Sequence, residues 1–390
     1  MNGPETNRVD FTKAQRTAFA LGIVGLAITL AGLRNPTQFF RSYFFAYMFW
    51  VMVPIGCLAL LMTHHLTGGK WGIPVRRLLE AGSNTFILMA VLFVPILFGL
   101  KELYSWDRPE EVAADPILQY KHPYLNATSY IERAIVYFAF FLIFSVLLNR
   151  WAKQYDDTLD KRLLSRCSRL SAPGLVLWGL LLTGASIDWV MSLEPHWFST
   201  IYGMVFMLIG ALTAMALMVF VGTFLSREAP LASFVTPLHW NDAGNLLLAF
   251  VMLWTYLSFD QYLIIWTGNL KNEIPWFLSR QNGGWGGVAL FLVICQFAIP
   301  FLLLLQRRVT RRGKTIAIVA IILLITNIVD MYWQVVPAFN PQSPAPHLAD
   351  FTALVGIGGL WMGVFFWRLG GRSLVPVRDG SYEEAAAHGD

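Results

Sequence analysis

Apolar residues run along this chain in long, nearly uninterrupted stretches, and polar residues gather in the short intervals between them. Ten runs are long enough, at about 20 residues, to cross about 30 Å of hydrocarbon as helices. Their approximate limits are 16 to 33, 43 to 66, 82 to 104, 129 to 150, 171 to 192, 199 to 226, 238 to 268, 284 to 306, 313 to 337 and 350 to 370. Pro54, Pro95 and Pro300 fall inside the second, third and eighth runs, where kinks are expected if neighbouring helices satisfy the freed carbonyls. The first run follows Lys13 and Arg16 as a signal peptide would. The next residues, Leu33-Arg34-Asn35-Pro36, offer no small-residue cleavage site, so the run is read as a retained helix. The expected fold is all-α and integral to a membrane: ten transmembrane helices over residues 1–372, then a loose polar tail over 373–390.

Composition agrees with that pattern. Of 390 residues, 56% are hydrophobic and only 14% charged, against roughly a quarter charged in soluble domains. The 29 Phe, 15 Trp and 13 Tyr residues suit a lipid-facing wall with interfacial belts. The net charge of +5 then bears on topology, and no nucleic-acid partner is expected. Most Lys and Arg residues fall in the alternate intervals that share a side with the N-terminus. The densest are the segment from Arg150 to Arg169 and the cluster of Arg307, Arg308, Arg311, Arg312 and Lys314. Retention of basic residues on the cytoplasmic side therefore predicts two cytoplasmic termini. On the other side, residues 105 to 128 carry Asp107, Glu110, Glu111 and Asp115, a loop equally readable as a docking surface or as merely solvated.

Several redox and energy-coupling chemistries find no residues here. Cys57, Cys167 and Cys295 lie far apart without a C-x-x-C spacing, which gives no iron-sulfur or structural zinc motif. Only His64, His65 and His239 lie near spans, all at the cytoplasmic end, so haem ligation between helices is not expected. No nucleotide-binding glycine-rich motif is present, which removes an ATP-driven pump.

The ionisable residues inside the runs fall into two layers. Asp188, Asp260 and Asp330 all lie roughly 7 to 11 Å outward of the midplane at 1.5 Å per residue. His64, His65, Glu80, His239 and Asp242 form an inner layer near the cytoplasmic interface, with Asn245 slightly deeper. Asp242 and Asp260 are 18 positions apart, five helical turns, so both point the same way about 27 Å apart; Tyr256 lies beside that stripe. Buried acids in a membrane normally face the bundle interior and mark proton or substrate paths. The pattern reads as two wet half-paths meeting at a dry middle, bridged by Asn327 or Thr213. The plainer alternative is interfacial polarity for the histidines and Glu80, and structural hydrogen bonds for Asp188 and Asp260.

Asp188 and Asp330 each begin an Asp-x6-Pro segment followed shortly by Phe, 142 residues apart. The fifth and ninth helices run in the same direction. Two parallel four-helix repeats, helices two to five and six to nine, with two flanking helices, would account for this.

The segment Ala185-Ser-Ile-Asp188-Trp-Val-Met-Ser-Leu-Glu194-Pro-His196-Trp-Phe-Ser-Thr-Ile-Tyr202-Gly, with Ser258-Phe-Asp260-Gln261-Tyr262 and Asn269-Leu-Lys-Asn-Glu273-Ile-Pro-Trp276, resembles the polysulfide-reductase-type (NrfD-like) membrane subunits of bacterial alternative complex III. The compact length is more similar to the second of that complex's two paralogous ten-helix subunits. The resemblance implies a cofactor-free subunit of a quinol oxidoreductase in a bacterial cytoplasmic membrane. Its partners would be a homologous quinol-oxidising ten-helix subunit, an iron-sulfur subunit, cytochrome subunits carrying haem c, and in some complexes a terminal oxidase. It implies a proton-path or scaffold role for Asp188, Glu194, Asp260 and Gln261. The alternative is a quinol pocket in this chain near Asp188, His196, Asp260 and Gln261; the first run holds neither His nor Asn to complete one. A secondary transporter and a passive anchor are rival readings of another class.

Overall fold

The structure is a computed structural model that describes residues 9–227, 231–371 and 373–374. The chain is all-α, with no strand among the described residues. Ten helices are long and apolar enough to span a membrane: α1 (Thr12–Ala31), α2 (Pro36–Thr67), α3 (Arg76–Phe98), α4 (Ala127–Thr158), α5 (Lys161–Leu193), α6 (Tyr202–Leu225), α7 (Pro237–Gly268), α8 (Trp285–Leu304), α9 (Gly313–Ala338) and α10 (Leu348–Gly370). The expected tail from 375 onward lies outside the described residues. Ten crossings bring residues 9 and 374 to one face, here the terminal face; the opposite face is distal.

Hydropathy alone makes some helices too short. α4 and α5 continue beyond the apolar runs through the basic segment, and they turn only at Leu159, in the left-handed region (φ 56°), with Asp160 capping Arg162. Charged residues in a helix cost little once the helix has left hydrocarbon, so composition marks the membrane boundary rather than the helix end. Pro173, at the edge of the expected fifth run, consequently lies well inside α5. α3 is interrupted at Asn84–Thr85 between its two segments. α8 widens into a π segment at Val293–Ala298, immediately before Pro300, which has no N–H to continue the ladder.

The spans group as two four-helix bundles, α2 to α5 and α6 to α9. α2 packs on α3 and α5, α4 on α5, α6 on α7 and α9, and α8 on α7 and α9. The first helix of each bundle meets the fourth of the other, α6 against α5 and α2 against α9, as a pseudo-twofold axis along the membrane normal requires. α2 and α6 cross at the centre, where a side chain on Gly56 would overlap the Gly210 carbonyl. Burial follows this topology: 94% of the most apolar window of α2 is buried, against 22% for α7. α1 packs almost wholly on α10, which rests on α2. Gly25 and Gly356 let those two backbones approach so closely that a Cβ on Gly25 would lie 2.7 Å from the Gly356 nitrogen, a small-residue contact of the kind membranes favour. The Thr29 and Thr352 hydroxyls hydrogen bond across it at 2.9 Å.

Candidate functional site

The most developed site lies in the distal half of the second bundle. α9 turns a polar stripe inward, with Asn327 and Asp330 buried to within 1% exposure and Gln334 buried beside them. Two neutral donors reach the Asp330 carboxyl, with a third polar side chain beside them. Trp254 of α7 donates its indole N–H to Oδ2 at 2.8 Å, and the Gln334 amide lies 3.4 Å from Oδ1. Gln296, fully buried on the π segment of α8, completes the set. With its amide turned so that both ends are satisfied, it donates to the Thr326 carbonyl at 3.0 Å and accepts from Trp254 at 3.3 Å. No ion pair is made by Asp330 among the described residues.

Asp330 forms part of the wall of a cavity of about 520 Å³ shared with Trp254, Phe259, Phe277, Arg280 and Trp333. Phe259 and Val293, which also line it, are 60% and 55% exposed, so it opens sideways between α7 and α8, where lipid would lie. Its size and its apolar wall with a few convergent polar groups are those of a small-molecule site. Arg280 sits on the short helix Ile274–Ser279 side of this cavity and is 1% exposed. Its guanidinium stacks 3.7 Å from the Trp276 ring centroid, pairs with Glu194 at 2.7 Å and donates to the Gln334 carbonyl at 3.0 Å. Arg280 thus anchors Glu194 and the distal end of α9 together.

Asp188 is placed differently. It is fully buried in the first bundle, where Oδ2 accepts from Arg133 of α4 at 2.7 Å and from the Tyr137 hydroxyl at 2.7 Å. The Arg133 guanidinium also stacks 3.8 Å from the centroid of Tyr124 and donates to its carbonyl. Burial, and then the nearby Asp188 charge, push the Tyr124 hydroxyl up to about 12. Asp188 and Asp330 therefore occupy matching positions with opposite surroundings, one paired with an arginine and one held by neutral groups. Arg133 and Arg280 escaped the sequence reading, although an arginine at the edge of an apolar run is itself a signal.

In the inner layer Glu80 and His239 are held by local partners, while the His64 Nδ1 and His65 Nε2 atoms are buried without a hydrogen-bond partner among the described residues. Glu80 is bound by Arg76 at 3.1 Å and Arg77 at 2.7 Å, and Arg77 reaches on to Asp156. His239 caps α7, its Nδ1 accepting from the Thr236 N–H at 3.0 Å. The His64 ring packs edge-on against Trp71, next to His65. Thr213 bonds back to the Ile209 carbonyl within α6, and Asn327 donates to Leu323, its carbonyl oxygen lying buried without a partner.

The α7 stripe does not line the interior. Tyr256 is 63% exposed, Asn245 is exposed, and Asp242 and Asp260 are half-buried, while the packed face carries Ala243, Leu247, Val251, Trp254 and Gln261. The reason is rotational phase. In a helix whose lipid-facing and protein-facing sides are both apolar, spacing tells which residues share a face but not where that face points. His196, 55% exposed, pairs with Asp115 at 2.5 Å in a distal groove of about 710 Å³ that also includes Glu111 and Lys271. Hence Asp188, His196, Asp260 and Gln261 are not brought together, and none of the four lines the Asp330 cavity. No group of three His, Cys, Asp or Glu side chains converges among the described residues. A scan against protein-family models and a search of curated proteins find no match to this chain.

Proposed function

We propose that this chain is a membrane subunit of a quinol-oxidising complex, and that its own contribution is proton handling at Asp330, with the adjoining lateral cavity receiving the quinol ring. The observation that carries the reading is a buried carboxyl, held only by the Trp254 indole and the Gln334 amide, in the wall of a cavity that opens toward lipid. A lipid-soluble diol enters by that side without crossing water. Oxidising a quinol releases two protons and two electrons. A carboxyl without a fixed counter-ion can take a proton without breaking an ion pair, whereas Asp188 would have to give up Arg133. The electrons pass to iron-sulfur and haem groups of partner subunits, as the motif resemblance implies, and the bilayer is that of a bacterial cytoplasmic membrane.

The test is Asp330→Asn in the assembled complex, reading quinol turnover and protons released per electron. Positioned proton transfer contributes about 10²–10⁴-fold, so turnover should fall at least about 100-fold. Unchanged turnover with an unchanged proton ratio would reject the proposal. So would a photoreactive quinone that labels only another subunit.

A further inference from the structure

A second site, on the opposite face and independent of the Asp330 reading, lies between α3, α4 and α10. There a cavity of about 300 Å³ opens on the flank of the first bundle near the terminal face. Its polar end is built from Ser83, Asn84, Ser145 and Asn149. Ser145 donates to the Ser83 carbonyl at 2.6 Å and Asn149 to the Ser83 hydroxyl at 3.0 Å, bonds that occupy backbone and side chain where α3 is interrupted. The cavity lies at that interruption, with Ser83 and Asn84 in its wall.

Three cations stand at the polar end: Arg150, Lys153 and Arg368. Arg76 and Arg77 nearby are matched by Glu80 and Asp156. Arg150 and Lys153, both exposed, have no carboxylate within ion-pair distance among the described residues. Toward the middle of the bundle the walls turn apolar with Phe86, Ile87, Leu142 and Val146, and Ile87 and Val146 are 54% and 48% exposed on the flank. From Arg150 to Leu142 is eight residues, about 12 Å along the helix. The slot is therefore cationic and hydrogen-bonding at the membrane surface and oily along its length, the inverse image of an anionic amphiphile.

We infer that this slot binds an anionic phospholipid, its phosphate between Arg150, Lys153 and Arg368 and one acyl chain along Ile87, Leu142 and Val146. Exposed cations without a carboxylate partner, as Arg150 and Lys153 are, attract anionic headgroups on the flank of a membrane protein, and the buried Asn149 and Ser145 add neutral polar groups beside the phosphate.

The test uses the full-length protein in nanodiscs of phosphatidylcholine with a minor fraction of phosphatidylglycerol, reading lipid retained after detergent release by native mass spectrometry. Phosphatidylglycerol should be enriched over its share of the bilayer. Arg150→Gln and Lys153→Gln should each weaken retention about fivefold, the effect expected per basic residue near the surface. Val146→Trp, which fills the slot from an exposed position, should do the same without altering charge. Paired removal of Lys13 and Arg16, two exposed cations elsewhere on the terminal face, should leave retention unchanged. Equal loss from that control would mean diffuse surface attraction and would overturn the inference. Displacement of the lipid by millimolar inorganic phosphate would overturn it too, since the site would then read phosphate without the chain. Retention of phosphatidylglycerol by the Arg150 and Lys153 variants at the unmodified level would have the same consequence.

Discussion

Two aspartates at matching places in the two bundles meet different fates because of one residue each. Arg133 donates to Asp188 from α4, while Asp330 accepts only from an indole and one amide. Removing one member of a buried ion pair leaves the other uncompensated, at a cost of about 3–5 kcal/mol. Arg133, whose side chain keeps 21% of its exposure, belongs at the lower end. Arg133→Gln should therefore destabilise the protein by about 3 kcal/mol in a reversible mixed-micelle unfolding titration, and folding unaffected by the change would show the pair to be idle. Asp330→Asn should cost under about 1 kcal/mol in the same titration, because an amide oxygen still accepts from Trp254 and a lost hydrogen bond is worth about that much. The same substitution that silences turnover should thus leave the fold standing. Both aspartates were legible in the sequence, since acids in apolar runs are conspicuous. Their partners were not, because Arg133 sits 55 residues from Asp188 and Trp254 76 residues from Asp330.

At the scale of elements, the ten spans were plain from hydropathy and the single Asp-x6-Pro match pointed to a repeat, whereas the azimuth of each helix was hidden. Lipid tails are as apolar as a leucine core, so no polar face marks the outside of a membrane helix. For α7 that put Asp242, Asn245, Tyr256 and Asp260 away from the packed face. The interruption of α3 and the π segment of α8 were equally silent in composition, yet residues of both line the two cavities. The α1–α10 contact carries its own expectation. Cysteines replacing Thr29 and Thr352, whose hydroxyls lie 2.9 Å apart, should form a disulfide on mild oxidation. Adding Gly25→Leu should abolish it, because the new side chain would occupy the space of the Gly356 backbone. A crosslink that survives would mean that the helices are not held by this seam.

For the molecule as a whole, the approximate twofold arrangement is broken where it matters for chemistry. The first bundle closes its distal half with an ion pair and stacked aromatics, and the second keeps a cavity there. The basic intervals predict that the terminal face is cytoplasmic. With a membrane-impermeant maleimide, a cysteine at Lys153 should label only from the cytoplasmic side, and one at Glu111 only from the other; the reverse pattern would invert the orientation. The clasp between α1 and α10 also dictates how the protein is made. α1 leaves the ribosome before the other nine spans and finds hardly any neighbour except α10. The Thr29–Thr352 bond joins residues 323 positions apart, tens of seconds of synthesis at ~5–20 residues per second. Throughout that interval the glycine-lined side of α1 faces lipid or the insertion machinery. Only the arrival of α10 covers that side.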